Sequence, residues 1–235
     1  MRTRLALILV AASVLATPAL AAMSAVNPAL TQNPAARPKK VMLLPPQVFV
    51  YELSAGGVPT RMADWEATAR DNLVAAANRL AHEAGFELLP APALDPQLGD
   101  QLEAHMGLYE RVAQSVFVYG RGDQDAWAHK QNEFDYTLGP GLAFLREPTG
   151  ADAALIVLGS DYISSGGRRA AFIAGLALGV IMPLGQSFIT AGIVDLTTGD
   201  VLWMSFDSSA TMDSRTRTDV DALVHDLYAT WPAAK

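Results

Sequence analysis

The spacing of apolar positions changes several times along the chain, and each change marks an element. Residues 41–44 (VMLL) are apolar without a break and stop at Pro45-Pro46, which predicts a short buried strand with a hard end. Residues 48–53 extend it until Ser54-Ala55-Gly56-Gly57 intervenes. Trp65, Ala69, Leu73, Ala76, Leu80 and Ala84 then recur every three or four positions, with Glu66, Arg70, Asp71 and Asn78 off that stripe, so an amphipathic helix is expected. Thr60 or Asp64 are candidates to cap its start, and Gly85 suits a left-handed residue at its end. Residues 86–89 ahead of Pro90 read as a second short strand. Leu102, Met106, Tyr109, Val112 and Val116 mark a second amphipathic helix that ends near Gly120-Arg121-Gly122. Residues 123–136 are polar and show no clear period, and residues 142–145 suit one or two helical turns.

Residues 153–158 are continuously apolar over strand length, the pattern of a strand buried on both faces in the middle of a sheet. Two β-prone runs, 188–196 and 201–206, flank Thr197-Thr198-Gly199-Asp200, a hairpin signal in which Gly199 takes the position of positive φ. Val220, Leu223, Val224, Leu227 and Trp231 outline a last helix, with Thr218 and Asp221 spaced as in a capping box and Pro232 as its stop. The order of elements predicts an α/β fold: a mixed sheet with flanking helices, in two or three layers. Residues 22–40 carry Pro28, Pro34 and Pro38 and no period, so they read as an extended tether. Residues 41–235 read as one α/β domain, and there is no internal repeat.

One stretch does not fit this alternation. Residues 166–187 form a glycine-rich apolar insertion before the hairpin, and from Ala170 to Leu184 no side chain is charged or hydrogen-bonding. As a helix, that run rises about 22 Å, short of the ~30 Å hydrocarbon core of a bilayer. As a pore hairpin it should alternate polar and apolar residues, and it does not. Two readings stay open. One is a core helix on the protein's own sheet, toward which the residues lean slightly. The other is an exposed arm that enters a membrane interface or meets another subunit. In both, Ala171, Gly175 and Gly179 form a small-residue stripe along the helix. For the arm, the contact residues are Arg168, Arg169, Phe172, Ile173, Leu176, Leu178, Ile181 and Met182.

Targeting and charge narrow the setting. Arg2 and Arg4, an apolar run over residues 5–15, and Ala19-Leu20-Ala21 make residues 1–21 a signal peptide, with cleavage after Ala21 or after Ala22. Retention as an N-terminal anchor is disfavoured, because the apolar run is short. Cleavage would take the net charge from −7 to −9, since the segment holds two arginines and no acid. That balance argues against nucleic acid as a partner. The sequence contains no cysteine, so there are no disulfides, no thiolate metal sites and no lipidated cysteine. The expected localisation is the periplasm, with membrane association open.

Candidate chemistry is sparse. His82, His105, His129 and His225 have no HExxH spacing, and Ser164-Ser165-Gly166-Gly167 leads into Arg168-Arg169 rather than the Lys-Ser/Thr of a P-loop. His129 with Asp123, Asp125 and Glu133 is a weak metal candidate. Asp161, Asp195 and Asp207 are the carboxylates that a sheet could bring together, with Tyr162 beside the first. No catalytic residue, cofactor or metal is assigned.

VMLLPP at residues 41–46, GADAALIVLGSDY at residues 150–162 and AGIVDLTTGDVLW at residues 191–203 resemble, in that order, a group of bacterial envelope proteins. The group includes the curli-secretion channel subunit, outer-membrane activators of penicillin-binding proteins, and small outer-membrane lipoproteins. The resemblance implies an anticodon-binding-like α/β domain in an envelope setting. It transfers no catalytic residues, and this chain lacks the acylated cysteine of the lipoprotein members. The function expected is therefore a non-enzymatic exported envelope protein, an assembly or accessory component acting through an envelope protein partner or self-association, with peripheral membrane contact open. The alternative is a periplasmic hydrolase or small-ligand-binding domain that uses a carboxylate cluster near Asp161 and Asp207.

Overall fold

A computed structural model describes residues 23–119 and 133–232. In chain order the strands are β1 (Met23–Val26), β2 (Lys40–Leu43), β3 (Gln47–Leu53), β4 (Pro59–Arg61), β5 (Glu87–Pro90), β6 (Ala153–Ser164), β7 (Gln186–Asp195) and β8 (Val201–Ser209). The α-helices are α1 (Pro28–Gln32), α2 (Ala63–Ala84), α3 (Pro96–Tyr119), α4 (Arg146–Thr149), α5 (Gly166–Ala177) and α6 (Arg217–Tyr228), with a 3-10 turn at Pro140–Leu145. Residues 1–21, read above as a signal peptide, and His129 fall outside the described residues, as does most of the polar stretch 123–136.

The long strand β6 organises one mixed sheet. It is antiparallel to β7, and the sheet continues on that side through β8 to β1. On its other side the first half pairs in parallel with β2 and the second half in parallel with β3. Pro45-Pro46 divides these two partners, because proline donates no ladder hydrogen bond. Successive residues of β6 point to opposite faces, and both faces are covered. Ala153, Leu155 and Val157 join a core with α2 and α6, while Ala154, Ile156 and Leu158 join a second core with α3 and the 3-10 turn. The protein is thus a three-layer α/β structure, and the double burial explains why residues 153–158 carry no polar position.

Four local expectations need correction. The stretch read as an extended tether contains β1, which pairs with the edge of β8 from Met23↔Phe206 to Val26↔Trp203, and α1, whose Leu30 is fully buried. An open strand edge binds a short segment through its backbone, so no strong side-chain pattern announces it. The N-cap of α2 is Met62 rather than Thr60 or Asp64, and it makes no side-chain cap bond. The N-cap of α6 is Thr216, also without one, so Thr218 and Asp221 form no capping box there. Glu66, expected on the solvent face, is buried, because Arg61 Nε (2.6 Å) and Nη2 (3.0 Å) both donate to its carboxylate. That pairing holds the Glu66 carboxyl below its ordinary value.

Candidate functional site

The apolar insertion is an arm at the end of the sheet, between β6 and β7. Ser165 starts α5 as its N-cap, its Oγ accepting from the Arg168 N–H at 3.2 Å. The helix ends at Ala177. Beyond it Gly179 lies at φ +76°, the Gly179 N–H donates to the Leu176 carbonyl at 3.1 Å and the Val180 N–H to the Gly175 carbonyl at 2.8 Å. These are the two bonds of a Schellman motif, which turns the chain back toward the sheet. Gly175 leaves room for that closure, since a Cβ there would sit 3.1 Å from the Val180 carbonyl oxygen, a tight contact. The glycines therefore build the arm's own turn. They do not form a stripe for a neighbouring helix, and no single helix spans 170–184.

Polar bonds secure the base. Arg168, itself buried, donates from Nε (3.1 Å) and Nη2 (2.6 Å) to the Pro183 carbonyl, clamping the returning strand to the outgoing helix. Ser164 Oγ donates to the Leu184 carbonyl, and the Ser165 N–H to the Leu53 carbonyl at 2.9 Å. Arg168 is thus a structural clamp. Arg169 is exposed, and it lies near enough to Asp213, ahead of α6, to help hold that carboxyl below its usual range, although the main cause is the Arg215 hydrogen bond.

The slight lean toward a core helix is overturned. Ile173 is 68% exposed, Leu176 49%, Leu178 82%, Val180 52% and Ile181 82%. Phe172 and Met182 are half-buried within the arm. Isolated exposed aliphatics are ordinary, but five on one projecting element make a patch. Val180 belongs to this patch and was missed, because a continuous helix places it elsewhere; the Gly179 signal for a C-terminal turn was available. Among the described residues no helix is long and apolar enough to cross a membrane.

The carboxylates of Asp161 and Asp207 do not converge. Asp161 on β6 pairs with Ser187 of β7, and Asp207 on β8 pairs with Ile189 of β7, so the two lie two strands apart, roughly 10 Å across the sheet. Asp195 sits at the opposite end of β7, where its Oδ1 accepts the Thr197 and Thr198 N–H groups and shapes the hairpin. Asp161 is fully buried and one oxygen accepts the Ser214 N–H at 2.8 Å. Burial raises its carboxyl above the ordinary value, against that bond. Burial likewise raises Asp207, and Asp226 adds to the shift. A cleft of about 770 Å³ holds Asp207, Asp219 and Asp226, but neither Asp161 nor Tyr162 lines it. Tyr162 instead stacks on Tyr51, ring centroids 4.8 Å apart. His82 and His225 are exposed, and His105 Nδ1 is bonded to the Gln101 carbonyl. Among the described residues no group of three or more His, Asp or Glu side chains is placed to hold a metal ion.

No protein-family model matches this chain, and no curated protein matches it. Among solved structures, the PelC dodecamer from Paraburkholderia phytofirmans superposes with a TM-score of 0.37 at 15% identity, covering 91% of this chain and 98% of that one. A variant of that dodecamer gives 0.39 at 16% identity over the same shares. Lipoprotein GNA1162 from Neisseria meningitidis gives 0.35 at 14% identity, covering 82% of this chain and 99% of that one. Overlap at this level establishes neither a shared fold nor a shared function.

Proposed function

We propose that this chain is an exported, non-enzymatic component of a bacterial cell envelope, an assembly or accessory protein whose working surface is the arm at residues 166–185. One observation carries the reading: the arm is closed by its own backbone bonds and by Arg168, while its largest aliphatic side chains face solvent. A surface helix with no binding role ordinarily presents charge outward, whereas α5 exposes Ile173 and Leu176 and the turn that follows it exposes Leu178, Val180 and Ile181. The signal-peptide pattern of residues 1–21 supports export, and the resemblance noted at residues 150–162 and 191–203 supports an envelope setting. The hydrolase alternative has less support, because Asp161 is buried and lies outside the cleft that holds Asp207.

The test is fractionation of cells that express the full chain. The wild type and Ile181→Glu are compared for removal of residues 1–21, melting temperature, and distribution between free protein and larger envelope species. The expected result is export of both, equal melting, and loss of the larger species in Ile181→Glu alone. A chain that keeps its first residues, or two proteins distributed alike, would contradict the proposal.

A further inference from the structure

The molecule carries a second apolar surface, and it is concave. Between α3 and the sheet lies a groove of about 490 Å³ whose walls include Phe49, Val118, Leu158, Phe188 and Phe206. That volume falls in the range of sites that enclose several apolar groups, about 300–1,000 Å³. Among the described residues, Phe49 and Val118 on its rim and five residues of the arm account for most of the exposed large apolar side chains. The remaining ones, Val58, Val74 and Leu108, are scattered. The groove also carries one anionic side chain, Glu110, and the arm carries one exposed cation, Arg169.

From this pairing of a convex patch with a concave one we infer that the arm of one copy seats in the groove of a second copy, with Leu178, Val180 and Ile181 against the phenylalanines and Arg169 toward Glu110. The inference rests on the reading of the arm as a contact surface and names its occupant. The patch and the groove are made of different residues, so the contact is heterologous: an arm seated in a groove leaves one copy with a free groove and the other with a free arm, and association continues past the dimer until a ring closes or a filament grows. Two copies related by a simple twofold exchange would leave neither patch open. The net negative charge of the chain opposes indiscriminate clustering, so a local cation meeting a local anion selects this face.

Complementary variants test the inference. One protein carries Leu178→Glu and Ile181→Glu (arm lost, groove intact), and the other carries Phe49→Glu and Val118→Glu (groove lost, arm intact). Each is checked by thermal melting and then followed by sedimentation velocity over a concentration series, alone and mixed one to one. The wild type is expected to form species larger than a dimer, each variant alone to be a monomer, and the mixture to give a heterodimer that grows no further. Arg169→Glu alone is expected to weaken association, and adding Glu110→Arg to the same chain to restore it. A monomeric wild type, a groove variant that still associates, or a mixture without heterodimer would overturn the inference. So would wild-type monomer that floats with phosphatidylcholine vesicles through its arm, since the occupant would then be a bilayer. If the wild type is monomeric yet Ile181→Glu still loses its larger envelope species, only the self-pairing falls. If neither changes, the proposed function falls with it.

Discussion

Asp161 illustrates how one buried group changes the balance of the molecule. Burial favours the protonated form of its carboxyl in the folded protein, and hydrogen bonding from Ser214, whose N–H donates to it, opposes that. Asp213 raises the carboxyl further, while Arg215 lowers it. The folded state therefore holds this proton to higher pH than the unfolded chain does. As pH rises from the ordinary carboxylate range through the raised value, the group subtracts stability, and the loss stays constant above it. Glu66 and Asp213 are lowered and act in the opposite sense, their contribution vanishing as pH falls. Asp161→Asn keeps an acceptor for the Ser214 N–H and removes the titration. It is expected to melt at or above the wild type at pH 7, with a difference that shrinks toward pH 4. Parallel melting curves for the two proteins across that range would show that Asp161 does not titrate in this way.

The elements that announced themselves did so because one physical requirement dominated each. Ala69, Leu73 and Ala76 occupy the buried stripe of α2, Gly85 at φ +84° ends that helix, and residues 153–158 are apolar because β6 is covered on both faces. The hairpin is the clearest case. Gly199 has φ +78°, and a Cβ there would lie 1.9 Å from the Gly139 carbonyl oxygen. Gly199→Val therefore adds a backbone clash to strain at positive φ, and a loss of at least about 1–3 kcal/mol is expected, read as a lower melting temperature. An unchanged melting temperature would mean that the turn tolerates a side chain. Elements set by partners distant in sequence were less legible. β1 exists because β8 offers an edge, and Glu66 is buried because Arg61 reaches it from β4. The arm was half legible. Its lack of charge stood out, but Gly175 and Gly179 suit close helix packing as well as a turn, and only the Val180-to-Gly175 bond decides between them.

Among the described residues, the two cores take up most of the large apolar side chains, and the main exposed ones are the five of the arm with Phe49 and Val118 at the groove rim. The two cores lie on opposite faces of one sheet, with Trp203, Tyr228, Trp231 and Phe86 packed together on one side and Phe117, Phe188 and Phe206 on the other. Neither core uses Ile173, Leu176, Leu178 or Ile181. The account stands or falls on whether those side chains are spare. Leu176 is the most demanding position for it, being the least exposed of the five and lying on the helix itself. Thermal melting of Leu176→Glu beside the wild type is the direct measurement. If the arm is a contact surface, the melting temperature holds and only the association state or envelope fractionation changes. If the segment is core, a carboxylate placed there is buried without a partner at a cost of several kcal/mol. A melting temperature lowered by many degrees, or an insoluble protein, would contradict the account.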